Sequence, residues 1–481
     1  MKRMKRGTEM VRESDRRLVK IVPTERQLAH QQLEFYGFIH FTVNTFTDKE
    51  WGDGTESPAI FNPERLDARQ WARAAKDGGM RGLILTCKHH DGFCLWPSKY
   101  TRHTVAASPY KGGKGDIVKE LSDACREEGL AFGVYLSPWD RHSPVYGRGR
   151  EYDDYFVNQL EELLTGYGEI FTVWFDGACG EGPCGKRQVY DWNRYYEVVR
   201  SLQPGACISV CGPDVRWCGN EAGQTRPSEW SVVPARTADT EKIADRSQQS
   251  DEETFRQRRI QAQDMDLGSR EILEQETELI WYPAEVNTSI RPGWFYHASE
   301  DDQVKPLAEL IHIYEHSAGG NATFLLNLPP DRSGLLHSAD VKRLHELGKY
   351  LRHTYGTNLA EQARISCDNA MEGCGPEHLT RDHYDACLQT AEGVTSCDIT
   401  LEWKEPVKVR RVVLKENLRC SQRVEKFEIQ VWIDGRFCTV YRGTVVGYRR
   451  IAILEEVKTA KLRVRILDAR VSLNLAFLGV Y

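Results

Sequence analysis

The feature that most narrows the fold of this chain is a rhythm. Between about residue 35 and about residue 355, short apolar β-rich runs alternate with longer stretches whose apolar residues recur three and four positions apart. The runs are FYGFIHF from Phe35, RGLILTC around Leu83, LAFGVYLS around Val134, IFTVWF around Val173, ACISVC around Ile208, LIWYPAE around Ile280 and ATFLLNL around Leu325. Between them lie helical segments such as DARQWARAAKDGG, GDIVKELSDACREEGL and PLAELIHIYEHSAGG, each stopping at a Gly or Pro that a helix does not continue through. Repeated βα units of this kind build a parallel sheet. No glycine-rich nucleotide turn follows the first run, and polar residues cluster just after many of the strand ends, so a (β/α) TIM-like barrel is expected rather than a doubly wound sheet. Seven runs predict an irregular closure.

The pattern changes after SADVKRLHELGKYLRHTYG. From ITLEWKEPVKVRRVVLKENL to LNLAFLGVY, apolar and polar residues alternate with turn signals between the runs, which predicts a C-terminal antiparallel β-sandwich of jelly-roll type. The expected division is a catalytic barrel over residues 1–355 and a sandwich over residues 356–481. Asp434-Gly435-Arg436 reads as a hairpin turn. A sandwich in this position either binds carbohydrate or caps the barrel. Residues 212–278 break the rhythm, and their charge-rich part from Glu241 to Glu278 reads as a solvated helix or surface insertion.

Charge narrows the partners. A net charge of −6 gives no basic stripe, which disfavours a nucleic-acid backbone or an anionic membrane and fits a neutral substrate. No apolar run approaches the ~20 residues needed to span a bilayer. The first residues are basic but lack the apolar stretch of roughly 7–15 residues that a secretory signal carries. The 14 cysteines show no pairing pattern, and Cys87, Cys207 and Cys211 fall in or beside strands, so reduced thiols and a cytoplasmic location are expected.

In a barrel, side chains at the carboxyl ends of the strands converge on one site. Here those ends offer His40, then Lys88-His89-His90-Asp91, Tyr135, Trp174 with Asp176, Glu221, and Trp281 with Glu285. Adjacent residues of a strand point to opposite faces, so His89 and His90 together hold no ion unless the chain bends there. No His-x-His pair stands at a strand end, and neither metal nor cofactor is expected. Glycosidic cleavage needs one carboxylate to attack or to direct water and one carboxylic acid to protonate the leaving oxygen. Asp176, after a buried run and before Gly177-Ala178, is the candidate attacker, the alternative being an Asp that caps the next turn. Glu221 sits in the polar, glycine-rich CGNEAG, whose mobility would let it approach a leaving group, the alternative being an ordinary exposed loop glutamate.

Several of these strings, YGFIHF, CKHHDGFCLWPSKYT, GVYLSPWD, VWFDGA and GGNATFLLNLPPDRSGLL, resemble the motifs of glycoside hydrolase family 29, the α-L-fucosidases, in register with successive strands. The resemblance implies a retaining double displacement with Asp176 as nucleophile. It also implies that His40, His89, His90 and Tyr135 bind fucose hydroxyls, with Trp51 in the same set and Trp174 beside the sugar ring or its methyl group. For the acid/base it leaves Glu221, with Glu285 as runner-up. DVRWCGNEAG and WYPAEVNTSIRPGWFYH, the latter with Arg291 and Trp294 at the rim, resemble the subfamily restricted to α-1,3 and α-1,4 linkages. The expected partner is therefore a fucosylated oligosaccharide of Lewis type. The competing readings are a broad-specificity fucosidase, a catalytically silent carbohydrate-binding protein, and a metal-assisted barrel hydrolase.

Overall fold

The computed structural model describes residues 11–239 and 266–481. Most of the charge-rich stretch from Glu241 therefore lies outside the described residues. Eight parallel strands form the first sheet: β1 (Phe35–Ile39), β2 (Gly82–Lys88), β3 (Ala131–Leu136), β4 (Thr172–Phe175), β5 (Cys207–Val210), β6 (Arg216–Trp217), β7 (Ala284–Ser289) and β8 (Ala322–Asn327). Their spatial order is β5-β4-β3-β2-β1-β8-β7-β6, and a parallel bridge from Ser209 to Val215 draws the two ends of the sheet together into a nearly closed barrel. β1, β2, β4 and β5 are buried along their whole length, as strands covered on both faces must be.

The connecting helices follow from their end residues. Asp67 caps α1 (Ala68–Asp77) through the amides of Arg69 and Gln70, and Asp116 caps α2 (Ile117–Glu128) through that of Lys119. Gly129, left-handed at φ 72°, ends α2.

Two expectations about the barrel change. LIWYPAE is not one strand. Leu279–Trp281 pairs antiparallel with Val232–Pro234 outside the barrel, and the barrel strand β7 begins only at Ala284. The eighth strand, β6, comes from the interrupting segment and pairs with the start of β7, Arg216 opposite Ala284 and Trp217 opposite Glu285.

After α3 (Ser338–Tyr355) the chain enters an antiparallel sheet of seven strands: β9 (Arg364–Cys367), β10 (Leu388–Gln389), β11 (Cys397–Glu416), β12 (Val424–Ile433), β13 (Arg436–Gly443), β14 (Arg450–Ala469) and β15 (Asn474–Val480). β11 and β14 are each 20 residues long and pair along their length with register shifts after Glu402 and Val409. One half of the pair carries β9, β12 and β13, the other β10 and β15, and both halves feed one core that joins Ile399, Phe427 and Val464 to Val412, Leu414 and Leu478. The two-residue turn Asp434-Gly435 links β12 to β13 with both φ positive, 48° and 78°, the conformation that suits a tight hairpin.

The barrel and the sheet share a buried ionic cluster. Glu34, 5% exposed, accepts from Lys415 Nζ and Tyr448 Oη at 2.8 Å each and from Arg449. The neighbouring cations hold its carboxyl well below the usual carboxylate range in spite of burial. Arg411 on β11 also forks onto Glu315 of the barrel at 2.8 and 3.1 Å.

Candidate active site

A cleft of about 680 Å³ opens at the carboxyl ends of the barrel strands. It is lined by His40, Glu50, Trp51, His89, His90, Trp174, Asp176, Trp217, Glu221, Asn287 and Trp294 among others. Asp176 follows β4 directly, and its side chain is 23% exposed. Its Oδ1 accepts the Ala178 amide at 2.8 Å and its Oδ2 the Tyr135 hydroxyl at 2.9 Å. Burial raises the Asp176 pKa, while the amides of Ala178 and Gly177 and the Tyr135 hydroxyl oppose that shift by favouring the anion. The result is a carboxylate fixed in orientation and open to the cleft.

The three imidazoles are neutral, because burial lowers the pKa of His40 to about 4, of His90 to about 3, and of His89 well below its ordinary value. Their tautomers follow from their neighbours. Asn327 spends its amide hydrogens on Ser289 Oγ and the Trp294 carbonyl, so its Oδ1 accepts from His40 Nδ1 at 2.8 Å. Ser137 donates its one hydrogen to the Trp139 carbonyl at 2.6 Å, so it accepts from His90 Nδ1 at 2.7 Å. In both rings Nε2 is left as an acceptor, and that of His90 lies 3.8 Å from Asp176 Oδ2. His89 Nδ1 is buried with no partner.

The expectation that His89 and His90 diverge fails for a local reason. β2 ends at Lys88, whose Nζ is tied to Asp140 and Gln159 at 2.9 Å each, and the chain turns beyond it. Both rings consequently line the cleft, with centroids 4.1 Å apart. Donor atoms of His89, His90 and Asp176 lie within 4.8 Å of one another, a spacing that could also hold a cation.

Trp51 meets His90 edge-on at 5.1 Å, and Trp174 stacks on Tyr135 at 5.4 Å. Glu221 accepts from the Trp294 indole at 3.2 Å. Its loop is braced rather than loose, since Asn220 Oδ1 accepts the amides of Ala222 and Gln224 and its Nδ2 donates to the Gln224 carbonyl.

Three predicted site residues do not line the cleft. Tyr135 is fully buried and meets the site only through its hydroxyl on Asp176. Glu285, the second residue of β7, is fully buried inside the barrel, where Trp174 Nε1 donates to it at 2.7 Å and Tyr36 donates from the other side. Arg291 is 1% exposed, tied to Asp340 at 2.9 Å and to Asp301 at 2.9 Å, and so braces the rim from beneath. Trp281 leaves the site as well, its indole bonded to Gln31 in the side hairpin.

Pattern reading missed Glu50, Trp217 and Asn287. Glu50 accepts the amides of Trp294 and Phe295 at 2.9 and 3.1 Å and meets His297 at 2.7 Å, a contact that raises His297 to about 9. Its position beside Trp51, in the segment after β1, was the one available signal. Asn287 holds the Trp217 indole at 2.9 Å.

Comparison with known proteins identifies the family. The family model described as Alpha-L-fucosidase matches residues 24–356. Alpha-L-fucosidase 1 of Arabidopsis thaliana is 39% identical over 472 residues, covering 96% of this chain and 87% of that protein. The crystal structure of a glycoside hydrolase 29 family member from an unknown rumen bacterium is 39% identical with a TM-score of 0.78, over 96% of this chain and 77% of that one. A Ruminococcus gnavus GH29 fucosidase in complex with fucose is 29% identical with a TM-score of 0.83, over 99% and 96%. With the family model matching more than two thirds of its length and a relative 39% identical over 96% of it, this chain belongs to the α-L-fucosidase family of glycoside hydrolases.

Proposed function

We propose that the chain is an exo-acting, retaining α-L-fucosidase that removes α-1,3- or α-1,4-linked fucose from branched, Lewis-type oligosaccharides. The observation that carries the reading is the single cleft shared by Asp176, Glu221 and the neutral histidines. Asp176 attacks the anomeric carbon and forms a fucosyl-enzyme ester. Glu221 protonates the departing oxygen and then takes a proton from the incoming water. His40 and His90, each with a free Nε2 acceptor, and His89 meet the sugar hydroxyls, and Trp51 and Trp174 supply apolar faces for the ring and its methyl group. Trp217 and Trp294 flank the Glu221 side of the cleft and suit a second sugar of the aglycone. The 14 cysteines follow no disulfide spacing, and Cys87, Cys207 and Cys211 lie buried in or beside strands, which suits a reducing compartment, the cytoplasm.

Three measurements test this. NMR of the first-formed product should show α-fucose; β-fucose would reject retention. Values of kcat/KM on Lewis-type trisaccharides, 2′-fucosyllactose and an aryl fucoside should favour the first; equal or better values on the others would reject the linkage preference and leave the activity standing. Turnover that survives a chelator would separate this reading from hydrolysis by a cation on His89, His90 and Asp176.

A further inference from the structure

Beneath the cleft, the barrel interior holds one carboxyl group that the reaction above does not use. Glu285 sits between Trp217 on β6 and Thr323 on β8 and is fully buried, with no cation among the described residues facing it. Its two oxygens are both spent, one on the Trp174 indole at 2.7 Å and one on the Tyr36 hydroxyl. Tyr36 is itself held by Thr323 Oγ1 at 3.0 Å and His30 Nε2 at 3.2 Å. Burying a carboxyl group here is unfavourable, and it drives the Glu285 pKa up to about 7. An apolar side chain would fill the space at less cost, so the group's presence calls for a role.

That role lies one bond away. Trp174 lines the cleft, stacks on Tyr135 with 24° between ring planes, and meets Phe38 edge-on at 5.2 Å. Tyr135 in turn donates to Asp176. An indole has a single N–H, and a buried one must find an acceptor. Turning the ring over would remove that N–H from Glu285, so the bond selects one orientation of the aromatic face.

We propose that Glu285 is a positioning residue, whose carboxyl group locks the Trp174 indole, stacked on the buried Tyr135, and thereby the aromatic face that Trp174 presents to the sugar beside Asp176. The proposal rests on the reading of this cleft as the fucose site. It differs from an acid/base role for Glu285, which would need contact with the leaving oxygen.

The test is a double-mutant cycle between Glu285→Met and Trp174→Phe, with Glu285→Gln as the conservative variant. The readouts are kcat and KM on an aryl fucoside, whose leaving group needs little protonation, and the affinity for free fucose by calorimetry. Glu285→Met should lose roughly 10–100-fold in kcat/KM, the effect of one orphaned buried donor on a contact surface. Glu285→Gln should stay within roughly threefold of wild type, because its carbonyl still accepts from the indole and Tyr36 can turn to His30. In the Trp174→Phe background, Glu285→Met should add no further loss. Additive losses, a Gln variant as poor as Met, or azide rescue of either variant would overturn the proposal. If Glu285→Met does not fold, Glu285→Asp, which withdraws the acceptor by one methylene, carries the same comparison with the same expected outcomes. A wild-type protein that releases no fucose from any substrate would remove the cleft reading and this proposal together. Full activity with a Trp174→Phe defect but no Glu285→Met or Glu285→Asp defect would remove this proposal alone.

Discussion

The Tyr135 hydroxyl donates to Asp176 Oδ2 at 2.9 Å while the Ala178 amide holds Oδ1 at 2.8 Å, so the carboxylate at the end of β4 is pinned at both oxygens yet faces open space. A nucleophile that is already oriented does not have to be ordered during the reaction. Asp176→Asn should therefore leave a folded protein with turnover reduced roughly 10³-fold or more. Turnover measured alongside thermal melting checks this, and near-normal turnover would reject the assignment.

Glu221 faces the same cleft from the side of the two tryptophans. Glu221→Ala should slow cleavage of natural linkages far more than cleavage of an aryl fucoside, since a good leaving group needs little protonation. Azide should restore part of the lost turnover and yield an α-fucosyl azide, of retained configuration, if Glu221 is the acid/base, because a small anion then takes the place of water on the fucosyl-enzyme after its general base is gone. A β-fucosyl azide would point instead to rescue at the position of Asp176, where azide displaces the leaving group in one inverting step. Glu285→Ala should show neither signature.

The buried histidines impose a pH dependence on stability. Their native pKa values lie below the unfolded value of about 6.5, His40 at about 4 and His90 at about 3. Below about pH 6.5 the unfolded chain binds protons that the native chain refuses, so stability is complete above that pH and falls as the solution is acidified towards pH 4. His297 acts in the opposite sense. Raised to about 9, it contributes fully below about pH 6.5 and loses that contribution as pH climbs through 9. Melting curves of wild type and His90→Gln from pH 7 to pH 4 should show a shallower decline in the variant; parallel curves would contradict it.

Glu34 carries the contact between barrel and sheet. With its native pKa depressed by Arg449 and Lys415, it stabilises the fold above its unfolded pKa, and that contribution disappears as pH falls through the native value. Glu34→Gln leaves Arg449 buried without its anion and Lys415 with only the half-exposed Asp382, and should cost about 3–5 kcal/mol at pH 7. Denaturant unfolding of both proteins at pH 7 and at pH 4 checks the size and the narrowing of the difference on acidification.

How much of this could be read from the chain depends on which way each side chain faces. β1 to β4 and β8 are apolar on both faces, and their strings declare them. β7 does not, because its inward positions are Glu285, Asn287 and Ser289, and the partners that make those residues tolerable, Trp174, Trp217 and Asn327, lie far away in sequence. β6 is two residues long and has no period to detect. The same blindness placed Glu285 and Arg291 in the cleft, since a carboxylate or guanidinium near a strand end looks alike whether it faces solvent or a buried partner such as Asp340. Glu50 was easy to miss because, apart from its place beside Trp51, the segment that carries it has no pattern and its bonds run to the backbone of Trp294 and Phe295.

The ionic cluster at Glu34 also decides what can be exchanged between relatives of this protein. Recombination at the junction after α3 is the natural place to swap one C-terminal sheet for another, because only a short connection with one 3-10 turn, Leu359–Gln362, joins the helix to the first strand there. Such a crossover separates Glu34 from Lys415 and Arg449, which sit on the far side of the breakpoint. Chimaeras of this protein should survive when the acid and both bases descend from the same parent, so the three residues form one inherited unit although 381 positions separate the first two in the chain.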